Sequence, residues 1–121
     1  MDISITAHRG EQIALITGEN GEIKSADTIV RLMDDIKHKH HADKMLADRG
    51  LIDESFFDLR SGFLDTLSEA FATHRMKLAI TGDFSFVENL AIKAYLAKHG
   101  LGKAVRFARN REEGLDWLSQ A

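Results

Sequence analysis

Neither cysteine nor proline occurs in the 121 residues. At ordinary usage a chain of this length would carry roughly six prolines. Without cysteine there is no disulfide framework, no thiolate zinc site and no cysteine nucleophile. Long apolar runs are missing too. The longest aliphatic run, Ile13-Ala14-Leu15-Ile16, falls far short of the roughly 20 residues of a membrane span. The chain opens Met1-Asp2-Ile3, with no basic segment leading into an apolar one, so no signal peptide is expected there. Positive charge is not in excess: the net charge is −3 and the isoelectric point about 6.0, which argues against nucleic acid as a partner.

What is present fits a soluble protein. Apolar residues make up 44% and charged residues 29% of the chain. The length suits one domain over residues 1–121, since domains most often run to about 100–150 residues. Such a chain buries roughly two-thirds of its unfolded surface without staples. No composition shift or repeat marks an internal boundary. The expectation is a single cytoplasmic α/β domain with neither membrane nor nucleic acid among its partners.

Nine glycines supply the punctuation. Ile3, Ile5 and Ala7 alternate with Ser4, Thr6 and His8, the period of a half-exposed strand. Arg9-Gly10-Glu11 reads as a hairpin turn and Gln12 to Thr17 as its more buried partner. Ser25 is a suitable N-cap, with Asp27 in the first turn and Ile29, Leu32, Met33 and Ile36 on one face of the helix that follows. Lys37-His38-Lys39-His40-His41 ends that helix with cations at its negative end. Lys44 to Ala47 reads as a strand closed by Asp48-Arg49-Gly50.

Asp53 caps the next expected helix, whose Leu59, Phe63, Leu67 and Phe71 are spaced by four. Gly62 inside it either permits close packing or marks a break. Lys77 to Thr81 is nearly all apolar at its centre, as buried parallel strands are. Ser85-Phe86-Val87-Glu88 has the form of a capping box for a further helix. Ala104 to Ala108 is a fifth strand, and Asn110 caps a last helix carrying Leu115, Trp117 and Leu118. Each helix thus has a polar cap of its own, which removes the need for proline at a first helical position. Strands alternating with helices imply crossover connections and a largely parallel sheet. The predicted fold is a mixed five-stranded sheet with an N-terminal antiparallel hairpin, then alternating helices and parallel strands, with about four helices.

This order of elements resembles the STAS domain, the fold of anti-sigma-factor antagonists. A closer likeness is to a small bacterial family of unknown function with a STAS-like fold. Its residues here are Phe56-Phe57-Asp58-Leu59-Arg60-Ser61-Gly62 and Lys77-Leu78-Ala79-Ile80-Thr81-Gly82-Asp83-Phe84-Ser85. The resemblance covers nearly the whole chain. It implies a regulatory domain that binds another protein, with the start of the Asp53–Gly62 helix as the partner surface. In STAS regulators the third strand leads into an aspartate-serine-serine-glycine segment whose second serine is phosphorylated. Asp53 matches the aspartate and Ser55 the phosphorylated serine, while Glu54 and Phe56 depart from the pattern. A phosphate on Ser55 would meet repulsion from Asp53 and Glu54. The plainer alternative is a first-turn serine that satisfies free helix amides.

Other chemistry is weighed on spacing. Open α/β sheets bind ligands beyond the carboxyl ends of their strands, which here are Asp48-Arg49-Gly50, Gly82-Asp83-Phe84-Ser85 and Arg109-Asn110. A small anionic ligand is one reading of that crevice, because free amides at a helix start attract anions. The other is that Gly82 turns the chain and Asp83 holds the loop. No phosphate-loop or dinucleotide fingerprint accompanies them, so no cofactor is expected. His38, His40 and His41 lack the i, i+4 spacing of a helical metal pair, and cations there already suit the helix end. No serine sits in a nucleophile elbow, and His8, His74 and His99 have no motif linking them to one. Asp34-Asp35 and Glu112-Glu113 are sequence neighbours, which diverge around a helix rather than forming an acid–base dyad. No catalytic residue is expected. A third helix with Ile92, Tyr95 and Leu96 beyond its core stripe, or the first edge strand, offers a surface for a homodimer.

Overall fold

The computed structural model describes residues 1–53, 63–82, 94 and 104–120. Strand β1 spans Asp2–His8 and β2 Glu11–Thr17. Helix α1 spans Ala26–Lys39, β3 Lys44–Asp48, and a 3₁₀ turn Arg49–Leu51 follows. Helix α2 covers Phe63–His74, β4 Lys77–Thr81, β5 Val105–Ala108 and α3 Arg111–Gln120. These strands form one five-stranded sheet in the order β1-β2-β3-β4-β5. The β1–β2 pair is antiparallel, and every later pair is parallel. The mixed sheet expected from the sequence is therefore present, with three helices among the described residues. Of the helix expected to start at Ser85, Ala94 alone is described, and it is helical; Leu59 and Gly62 lie outside the described residues. No helix among the described residues is long and apolar enough to cross a membrane.

The hairpin turn has φ of 52° at Arg9 and 83° at Gly10. Positive φ at both central residues makes it type I′, whose twist matches that of the flanking strands. Alternation then divides the sheet between two cores. On one face Ala14, Ile16, Met45, Ala47, Leu78, Ile80 and Val105 pack against Ile29, Leu32, Met33 and Ile36 of α1 and Ala70 and Phe71 of α2. On the other, Ile13, Leu15, Leu46 and Ala79 pack against Leu115 and Leu118 of α3, with Trp117 beside them. The run Ile13–Ile16 is apolar at every position because both its faces are covered.

Local chemistry fixes the helix ends. Ser25 caps α1, its side chain accepting from the Thr28 N–H. Asp34 and Asp35 each pair with a side chain one turn on, His38 and Lys39 respectively, so these two carboxylates are a surface feature of α1. Lys37 Nζ donates to the His74 carbonyl at the end of α2 and ties the two helices together. After α1 the chain reverses through His41 at φ 54°, and the Ala42 N–H returns to the Ile36 carbonyl. Left-handed backbone costs an L side chain about 1 kcal/mol, a cost glycine escapes. His41→Gly is accordingly expected to raise stability by about 0.5–1 kcal/mol, read from the urea midpoint at unchanged slope.

Candidate functional site at the carboxyl ends of the parallel strands

Where β3 ends, Asp48 organises the backbone beyond it. Its Oδ2 accepts from the Gly50 N–H at 2.9 Å, and its Oδ1 accepts from the Thr81 hydroxyl at 3.3 Å. The first contact shapes the 3₁₀ turn and the second joins β3 to β4. The turn is then sewn to the loop after β2. Gly21 N–H donates to Gly50 O at 2.8 Å and Ile23 N–H to Leu51 O at 2.9 Å. Ile23 and Ile52 form a parallel bridge, and the Asp53 N–H closes it on the Ile23 carbonyl at 2.8 Å. A Cβ on Gly50 would lie 3.1 Å from Asp48 Oδ2 and 3.3 Å from Asn20 Oδ1, so this crowded position suits glycine.

On the far side, the Gly82 N–H donates to the Ala108 carbonyl at 3.0 Å, and Gly82 has φ 149°, a conformation L side chains rarely adopt. Asn110 caps α3: its Oδ1 accepts from the Glu113 N–H at 2.9 Å. Arg109 pairs with Glu113 at 3.2 Å. The amino end of α3 is thus filled by its own cap and fronted by Glu112 and Glu113, which leaves it poorly disposed to an anion.

Of the positions singled out in the sequence, Asp53, Gly82 and Asn110 all lie along this carboxyl edge, each at the end of a different strand or turn. Ser55, Phe57, Asp83 and Ser85 lie outside the described residues. Among the described residues no three His, Asp or Glu side chains gather as a metal site. The edge is built on hydrogen-bonded turns, with Asp48 engaged on both carboxylate oxygens.

A second polar cluster escaped the reading of local spacing. His8 Nε2 lies 2.8 Å from Asp116 Oδ1, and Arg9 reaches the same oxygen at 3.3 Å. Lys44, 6% exposed, pairs with Glu11 at 3.0 Å. These residues hold the hairpin to α3 and to the start of β3. His8 and Asp116 stand 108 positions apart, so no motif could join them. Among the described residues the other ring nitrogen of His8 has no hydrogen-bond partner.

The hydrogen bond from His8, with the nearby charges of Arg9 and His8, holds the Asp116 carboxyl below the usual aspartate range against a smaller opposing effect of desolvation. A carboxyl depressed in the folded state contributes stability above its unfolded value, and that contribution is lost as pH falls through the folded value. Asp116→Asn is therefore expected to flatten the decline in stability between about pH 5 and about pH 2. Urea unfolding at a series of pH values checks this.

The family described as Domain of unknown function (DUF4180) matches residues 8–118. The chain belongs to that family. No curated protein and no solved structure matches it. In this DUF4180 domain the matched span runs from the His8 end of the hairpin to Leu118 in the core of α3. It thus takes in the carboxyl edge and both partners of the His8–Asp116 contact.

Proposed function

We propose that this DUF4180 chain is a non-enzymatic, STAS-like protein-binding domain that works in bacterial regulation in the cytoplasm. Its binding surface is the turn cluster after β3 together with the residues that follow Asp53 in the sequence, Ser55 and Phe57 among them. The observation that carries this reading is the double anchoring of that cluster. Asp48 ties it to β4, and the Gly21, Ile23 and Asp53 amides tie it to the loop after β2. Such anchoring fixes the chain as far as Asp53, and a pre-organised surface loses less entropy on binding. The sequential strand order with one leading antiparallel hairpin also supports the STAS-like reading, although fold analogy alone does not carry function.

The test is affinity capture from the source cells with the wild-type chain and with Phe57→Asp, Ser55→Asp and, as a remote control, Arg31→Glu on the exposed side of α1. A partner retained by the control and lost, at least about tenfold, with Phe57→Asp supports the proposal. A set of captured proteins unchanged by both edge substitutions overturns it. Stabilisation by nucleotides or anionic metabolites in a thermal-shift screen, with no protein partner, would favour a small-ligand site instead.

A further inference from the structure

We infer that β1 is a self-association edge, through which two copies of this chain join their sheets into one continuous antiparallel sheet. This surface is separate from the carboxyl edge, so either reading can fail without the other.

Strand β1 is the first strand of the sheet and pairs with β2 alone. Among the described residues nothing bonds to its outer side. Natural edge strands are guarded by proline, by charges within the strand, by bulges or by shortness. Among the described residues none of these guards is present. The chain has no proline, and the register runs unbroken from Asp2↔Thr17 to His8↔Glu11 without a bulge. The strand is 7 residues long, and its interior, Ile3-Ser4-Ile5-Thr6-Ala7, carries no charge.

The hairpin fixes which backbone groups face outward. In a two-residue hairpin the residues flanking the turn, His8 and Glu11, are a hydrogen-bonded pair, and such pairs alternate along the ladder. Asp2, Ser4, Thr6 and His8 therefore bond to β2, and Ile3, Ile5 and Ala7 turn their N–H and C=O groups to the free edge. An isologous pairing must be antiparallel about a twofold axis. The register that uses all three outward residues puts Ile5 opposite the second copy's Ile5, and Ile3 opposite its Ala7. Slipping by two residues in either direction leaves one outward residue of each copy unpaired.

Side chains agree with that register. Asp2 falls across from the second copy's His8, whose Nδ1 has no partner among the described residues, which gives opposite charges when the imidazole is protonated. Ser4 falls across from Thr6, two hydroxyl residues of the kind that pair well across strands. On the other face the half-buried Ile3 and Ile5, already packed against the α1–α2 core, gain cover from one another.

The absence of cysteine makes the test clean. Ser4 and Thr6 would form a non-hydrogen-bonded pair between chains, with Cα atoms about 4.5 Å apart, close enough for a disulfide. Mixing Ser4→Cys chains with Thr6→Cys chains under mild oxidant is expected to yield the mixed disulfide dimer, at least about tenfold over either homodimer. Sedimentation of the wild-type chain from micromolar to millimolar concentration is expected to show a reversible dimer. Ala7→Pro removes an outward donor while sparing the β2 ladder, and is expected to give a monomer with an unchanged circular dichroism spectrum. A wild-type chain that stays monomeric throughout, or cross-linking that favours Ser4→Cys homodimers, would overturn the inference.

Discussion

Replacing Gly114 by leucine is expected to cost about 3 kcal/mol. Gly114 lies in α3 where the helix meets the sheet. A Cβ there would sit 2.8 Å from Leu46 Cδ1, 3.4 Å from Ala79 Cβ and 3.5 Å from Thr81 Cγ2. Glycine within a helix forfeits about 1 kcal/mol against alanine, so its presence marks the closeness of this contact. Alanine would regain that propensity while pushing only the flexible tip of Leu46, and its net effect should stay within about 1 kcal/mol of zero. Leucine has no such outlet. It would meet the Ala79 and Thr81 side chains, lift α3 and expose Leu115, Leu118 and part of Trp117. As the single tryptophan, Trp117 reports the event directly: its emission should shift to the red as the melting temperature drops by roughly 10 °C. Leucine tolerated as well as alanine would show that α3 docks less tightly.

Ile80→Ala is expected to cost about 3–4 kcal/mol, against about 1 kcal/mol for Ile80→Val. Ile80 is fully buried in β4, between β3 and β5 and beneath the helices of the larger core. Truncation removes apolar contact and leaves a cavity that surrounding strands cannot close, because their backbones are fixed by the ladder on both sides. With total stabilities of about 5–15 kcal/mol typical for a domain, the alanine form would retain only part of the fold's margin. Urea unfolding followed by circular dichroism gives both numbers. A loss below about 1 kcal/mol for alanine would mean the core repacks freely.

These two positions show what a sequence discloses and what it withholds. Ile80 is legible, since a run such as Leu78-Ala79-Ile80 between polar ends has few readings other than a strand covered on both faces. The hairpin and the caps at Ser25 and Asn110 are legible for a similar reason: each depends on residues a few positions apart. Gly114 is not. Read along the chain, a glycine is a turn or a flaw in a helix, and only the approach of Leu46 makes it a packing requirement. The same holds for His8, Arg9 and Asp116, which meet from opposite ends of the chain, and for Asp48, whose role depends on Thr81 in a neighbouring strand. His41 reads as one of several helix-end cations, yet it is the residue that turns the chain. Of the carboxyl-edge positions, the sequence identifies Gly82 and Asn110 through strand-end and cap chemistry. It does not reveal that the Gly21, Ile23 and Asp53 amides bind the neighbouring turns into one unit.

The absence of proline takes on a physical meaning from the same structure. Among the described residues α1 and α3 start at the polar caps Ser25 and Asn110, the β1–β2 turn is set by two residues at positive φ, and the turn after β3 by the Asp48 carboxylate. Nothing in those places needs a fixed φ. Among the described residues, the place where proline would have mattered is the β1 edge, which stands without that guard.

The proposed role of the carboxyl edge is tested most directly by hydrogen–deuterium exchange on the chain with and without its captured partner. Bound partner should slow exchange at residues 48–57, around Gly82 and at Arg109–Asn110, with β1 and the exposed side of α1 unchanged. Protection confined to other surfaces, with residues 48–57 exchanging as fast as in the free chain, would contradict the assignment.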